Sequence, residues 1–237
     1  MELIKDEWTQ RDYDELVSYL YSAADEKYRE FNKKLIPGGA DIIGIRIPDL
    51  RSMAKKISKG DIKGFLACEK GRTNEELILE GLVLASKRVS YDELLEDMLQ
   101  FADGITNWAV CDVVKFTAAQ RYKECLIKDI DIFLLNKNPW VQRYGFKLLM
   151  EQYLEEEYID FVLKRTVTVR SDFYYLQMMQ GWLIATAAVK FPQRVMELFE
   201  SGTLSATVQN IAIQKMRESR RISEEDKKKA AQYKRTT

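Results

Sequence analysis

At 237 residues the chain is long enough to bury a substantial core, and its 37 basic and 37 acidic side chains cancel. It has no histidine, which excludes His-based metal sites, Ser-His-Asp triads and Cys-His pairs and leaves acid–base work to carboxylate, lysine, tyrosine or water. Three widely spaced cysteines (Cys68, Cys111, Cys125) suggest neither a disulfide framework nor a zinc cluster, and the charged N-terminus and lack of a long apolar run predict a cytoplasmic protein without a membrane span.

Nearly every segment carries helical spacing. The stretch Gly44-Ile45-Arg46-Ile47-Pro48 reads as a loop that enters a helix at Pro48, with Asp49 suited to its N-terminus. Thr73 is a plausible cap with Glu76 three residues on, opening the apolar run Leu77 to Leu84. Tyr91, Leu94, Leu95, Met98 and Leu99 repeat at three and four, as do Val141, Tyr144, Leu148 and Tyr153, and later Val195, Leu198 and Phe199. Strand-like alternation and hairpin dipeptides are scarce, so the fold class is all-α. Three apolar-Gln starts, at Val141-Gln142, Leu176-Gln177 and Val208-Gln209, recur at α-solenoid spacing, and no linker-like stretch interrupts the chain. The expectation is an α-solenoid of stacked helical pairs, curved with a concave binding face, in a single domain over residues 1–237. Residues 221–237 form a basic, partly ordered tail.

Charge is unevenly spread. Residues 151–160 carry five acids and no base, whereas residues 207–237 carry nine bases against four acids, so a neutral total is compatible with one basic face. Asp112 lies one helical turn after Trp108, and positions four apart share a helix face. Arg143 follows closely on Trp140, which after Pro139 at a helix start reads as structural. A carboxylate, a guanidinium and indole rings suit a nucleic-acid backbone and a cationic sugar.

Five ordered motifs then carry a resemblance: Tyr28 to Leu35 leading to Gly44 to Arg51, Asn107 to Asp112, Trp140 to Arg143, Gln177 to Trp182, and Ile211 to Lys215. Over about residues 10–220 the chain resembles the AlkD-like DNA alkylation repair family, the HEAT-like-repeat DNA glycosylases. The resemblance implies release of N3- and N7-alkylated purines from duplex DNA. Asp112 is then the catalytic carboxylate, Trp108 and Trp182 flank the damaged nucleotide, and Arg143 holds the backbone or lesion-bearing strand. Arg46, Arg51 and Lys215 are further candidates for the DNA backbone. Alkylated duplex DNA is the expected partner of a monomer, with no metal, cofactor or membrane. Met178 and Ala185 stand where active members commonly carry basic residues, and Phe31 where a tyrosine is common, which implies weaker, less salt-dependent phosphate binding. Two alternatives stay open: a non-catalytic DNA-binding relative, and a HEAT-like scaffold for a protein partner.

Overall fold

The computed structural model describes residues 1–36 and 41–236. Among these, fifteen α-helices and one 3-10 helix form all the regular structure, with no strand, as the helical spacing predicts. No described helix is long and apolar enough to cross a membrane. Residues 37–40, part of the loop expected between Leu35 and Gly44, lie outside the described residues. The chain divides after Leu126 into two compact units.

The first unit contains α1 (Gln10–Ser22), α2 (Glu26–Leu35), α3 (Ile47–Ile57), α4 (Ile62–Ala67), α5 (Asn74–Leu84), α6 (Tyr91–Asp103), α7 (Trp108–Val113) and the 3-10 helix Thr117–Tyr122. Pro48 sits in the first turn of α3, where its missing N–H costs nothing. Helix α5 packs against α3, α4, α6 and α7. Its buried residues run round the helix rather than along one stripe, because an enclosed helix needs no polar face. The Thr73–Glu76 capping box closes its N-terminus as the sequence suggests.

That first turn is also the polar centre of the unit. Asn74, Glu75 and Glu76 are only 6, 2 and 2% exposed, so each must find partners inside the protein. The Glu76 carboxylate accepts from the Tyr13 hydroxyl (2.9 Å), the Gly71 amide (3.0 Å), and the amide and hydroxyl of Thr73 (3.0 and 2.8 Å). Burial pushes the Glu76 carboxyl up, but these hydrogen bonds together outweigh it and leave it below its ordinary value. A carboxyl depressed on folding adds stability that is complete above its unfolded pKa and is lost as pH falls through the folded one. Replacing Glu76 with Gln should therefore flatten the acid side of the stability profile. Urea midpoints of wild type and variant should converge between about pH 6 and about pH 3. Parallel curves across that range would show that Glu76 titration contributes nothing.

Helix α8 (Lys123–Asp129) spans the division, and the second unit follows with α9 (Asp131–Leu134), α10 (Pro139–Gln152), α11 (Ile159–Thr168), α12 (Tyr174–Ala187), α13 (Pro192–Glu200), α14 (Ala206–Glu218) and α15 (Glu224–Gln232). Here the repeat read from the sequence is physical. Helices α10, α12 and α14 pack side by side in chain order, while α11 packs on α12 and α13, and α13 packs on α12 and α15. Each apolar-Gln start falls in the first turns of α10, α12 or α14. Gln142 donates to the Asn136 carbonyl (2.8 Å) and Gln177 to the Ser171 carbonyl (2.9 Å), each six residues back, so both glutamines brace the turn that enters their helix. Gln209 instead donates to the carbonyl of Tyr233, from the C-terminal segment.

The basic C-terminal stretch carries the helix α15, capped by Ser223 and packed on α13 and α14, and Arg235 donates to the Leu204 carbonyl (2.8 Å). Trp140 is structural, as expected: it stacks on Tyr175 (5.2 Å) and meets Phe173 edge-on (5.1 Å). Helices α12 and α14 approach closely at Gly181, where a Cβ would stand 2.4 Å from Ile211 Cγ2 and 2.9 Å from its Cβ. Both atoms belong to the rigid branch point of the side chain, so α14 itself would have to shift. Gly181→Val is expected to destabilise the protein by about 2–3 kcal/mol through overpacking, measured as a lowered urea midpoint. An unchanged midpoint would show that the α12–α14 contact gives way freely.

Candidate active site

The short helix α7 begins where Asn107 turns its side-chain oxygen back onto the amides of Ala109 (2.9 Å) and Val110 (3.1 Å). This cap sets the helix phase, and with it the two residues singled out on spacing. Trp108 and Asp112, one turn apart, line one cleft of about 180 Å³ together with Tyr28, Asn32, Ile45 and Ile78. The indole N–H of Trp108 donates to the Leu35 carbonyl at the end of α2 (3.2 Å). Asp112 is half-buried in this mostly apolar wall. A negative charge there acts on a nearby cation through a lower effective dielectric than water provides.

Another part of the cleft lining is held by a carboxylate that sequence reasoning missed. Glu75 accepts three backbone amides, from Ile43 (2.8 Å), Gly44 (2.8 Å) and Ile45 (3.2 Å), and so fixes the segment entering α3. Gly44 has a positive φ of 106°, and a Cβ there would come within 2.8 Å of the Asp25 carbonyl and 2.9 Å of Arg29 Cβ. Only glycine meets both demands at no cost. The Asp25 amide donates to the Gly44 carbonyl (3.1 Å), so this close approach brings the start of α2 against the loop. Arg46 joins the same corner, 2.7 Å from Asp25 and 4.8 Å from the centre of the Tyr28 ring. The Tyr28 amide and then Arg46 hold the Asp25 carboxyl below its ordinary value.

The remaining candidates fall into separate surroundings. Arg46, although committed to Asp25, keeps 57% of its side chain exposed, and Arg51 is exposed on α3. In the second unit, Trp182 (40% exposed) and Lys215 line a cleft of about 280 Å³ with Arg221 and Glu218, and Lys215 lies 3.4 Å from Glu218. Arg143 is buried, and its guanidinium donates to the Tyr175 carbonyl (2.7 Å). Ala185, read as a lost cation, is buried beside Trp182, while Met178 lines a neighbouring groove with Lys215 and Lys234. The structure thus joins Asp112 to Trp108, and Trp182 to Lys215.

Asn74, Glu75 and Asn107 support this cleft, yet only Asn107 had a visible signal, as a polar residue just before an apolar helix. Asn74 and Glu75 sit in the first turn of a capped helix, where polar residues ordinarily face water. Among the described residues no group of three or more Cys, Asp or Glu side chains is arranged to hold a metal ion.

A search of curated proteins gives no match. The profile of the DNA alkylation repair enzyme family, by contrast, covers residues 16–200, which include the Asp112 cleft, Arg143 and Trp182. The chain belongs to the DNA alkylation repair enzyme family.

Proposed function

We propose that the protein is a DNA glycosylase that hydrolyses the N-glycosidic bond of positively charged N3- and N7-alkylated purines in duplex DNA. The observation that carries this reading is the Asp112 carboxylate, set in a mostly apolar cleft beside the Trp108 indole. An N-alkylated purine is already cationic. When the C1′–N bond breaks, the bonding electrons neutralise the ring, so the base leaves without a general acid. The sugar acquires oxocarbenium character, the situation in which glycosidases rely on carboxylates. Asp112 stabilises that charge and accepts a proton from the water that bonds to C1′. Trp108 offers an aromatic face to the cationic nucleotide, an attraction of about 0.5–2 kcal/mol. Trp182 is assigned to nucleotide contact, and Lys215, Arg46 and Arg51 to phosphates. Arg143, whose guanidinium reaches the Tyr175 carbonyl, is assigned to the DNA backbone or the lesion-bearing strand.

The test is release of 3-methyladenine and 7-methylguanine from methylated duplex DNA, quantified against the spontaneous rate. Release well above that rate supports the reading, and release at the spontaneous rate rejects it for these lesions. In the second case, salt-sensitive binding to duplex DNA would identify a non-catalytic DNA-binding relative. Absence of such binding would point to a protein scaffold.

A further inference from the structure

We propose that the side-chain amide of Asn74 is a second catalytic group, holding the attacking water jointly with Asp112; this rests on the reading of Asp112 as the catalytic carboxylate. The hydrogen bonds around Asn107 fix which end of each amide faces where. Asn107 Oδ1 accepts from two backbone amides, so its Nδ2 is the end that reaches Asn74 Oδ1 (3.0 Å) and Thr106 Oγ1 (3.3 Å). A donor facing Asn74 requires an acceptor there, which turns the Asn74 oxygen towards Asn107. Asn74 Nδ2 is then the remaining end, and among the described residues it has no hydrogen-bond partner. The residue is 6% exposed and lines the same cleft as Asp112.

This nitrogen is not among the fully buried unpaired polar atoms of the described residues, so water in the cleft is its available partner. The two groups are complementary towards a water molecule, because an ionised carboxylate only accepts and an amide nitrogen only donates. A water that donates one proton to Asp112 and accepts from Asn74 Nδ2 keeps one lone pair free. That lone pair forms the new bond to C1′ as the C1′–N bond breaks and its electrons pass to the purine. The proton goes to the Asp112 carboxylate, leaving a neutral base and a C1′ hydroxyl. Neighbours fix the backbone on both sides: the Asn74 amide donates to the Asp41 carbonyl (2.7 Å), and the Cys111 amide donates to the Asn107 carbonyl (3.3 Å).

The discriminating variant is Asn107→Asp. Aspartate caps a helix as well as asparagine does and still accepts from Ala109 and Val110. It presents an oxygen to Asn74, however, and so forces that amide to rotate and turn its own oxygen to the cleft. Single-turnover release at saturating enzyme should fall about 100-fold, the scale of a misplaced reactant. Affinity for methylated DNA, read at a salt concentration that screens the added charge, and the melting temperature should fall far less than the rate. Asn74→Ala should lose a similar factor, and the double variant should lose no more than Asn74→Ala alone, since both remove one donor. If Asn74→Ala does not fold, Asn107→Asp decides alone. A wild-type rate in Asn107→Asp would overturn the assignment. So would a rate loss matched by an equal loss of DNA affinity or thermal stability, which is the mark of a structural role. Wild-type release that Asp112→Asn leaves intact, or no wild-type release at all, would remove the Asp112 reading and this inference with it.

Discussion

Asp112→Asn is expected to slow release of 3-methyladenine and 7-methylguanine by about 100- to 1,000-fold, the usual loss when one preorganised electrostatic group is removed. The substitution keeps the shape of the side chain and removes only its charge. The neutral amide no longer stabilises a developing oxocarbenium ion, nor does it accept a proton from water. Binding should respond in the opposite sense. A carboxylate in a cleft that receives DNA repels phosphates, so the variant should bind methylated duplex as tightly as wild type, or more tightly at low salt. The two readouts together separate chemistry from structure. A variant slowed only in proportion to weakened binding would contradict the assignment, as would one that releases base at the wild-type rate. Spontaneous loss of methylated purines sets the floor of the assay and must be subtracted at every time point.

The second large effect is on stability. Glu75→Ala should lower the unfolding free energy by about 3–5 kcal/mol, because three backbone N–H groups lose their acceptor inside the protein and each orphaned donor costs about 1–3 kcal/mol before relaxation. Glu75 is 2% exposed and Ile43 and Ile45 are 0 and 4% exposed, so little water reaches the site to substitute. Glu75→Gln should cost less, since its amide oxygen still accepts part of the set while its NH₂ opposes a donor. Chemical unfolding of the three proteins should rank wild type, Gln, Ala in decreasing stability. An alanine variant within about 1 kcal/mol of wild type would mean that the loop finds other acceptors. The loop entering α3 also forms one wall of the Asp112 cleft, so Glu75→Ala should lose activity too, together with stability rather than independently of it.

Several features of both predictions could be read before any coordinates. The Thr73–Glu76 capping box, the entry of α3 at Pro48 and the shared face of Trp108 and Asp112 each depend on residues three or four apart. The solenoid-like order of α10, α12 and α14 was visible for a related reason. Gln142 and Gln177 repeat because each braces its own helix entry with a bond only six residues long. Trp140 declared its role through its neighbour Pro139, and its stacking on Tyr175 agrees.

What stayed hidden depends on long-range partners. Glu75 finds its acceptor role 30 to 32 residues away, and Asn107 meets Asn74 across 33 residues. Arg143 is buried and bonded to the carbonyl of Tyr175, 32 residues along the chain, a partner that its local pattern does not announce. Ala185, at a position where the resemblance leads one to look for a cation, is buried. In each case the residue type permits either environment, and its local pattern is the same in both.

By itself the sequence determined the helical class, the caps, the repeat along the second half and the pairing of Trp108 with Asp112, because backbone geometry and helical period make these local. The tertiary structure alone decided which polar residues go inside, and so that Glu75 anchors the cleft wall and Asn74 lines the cleft. Burying a polar group is tolerated only where packing delivers its partner, and those partners lie some thirty residues along the chain.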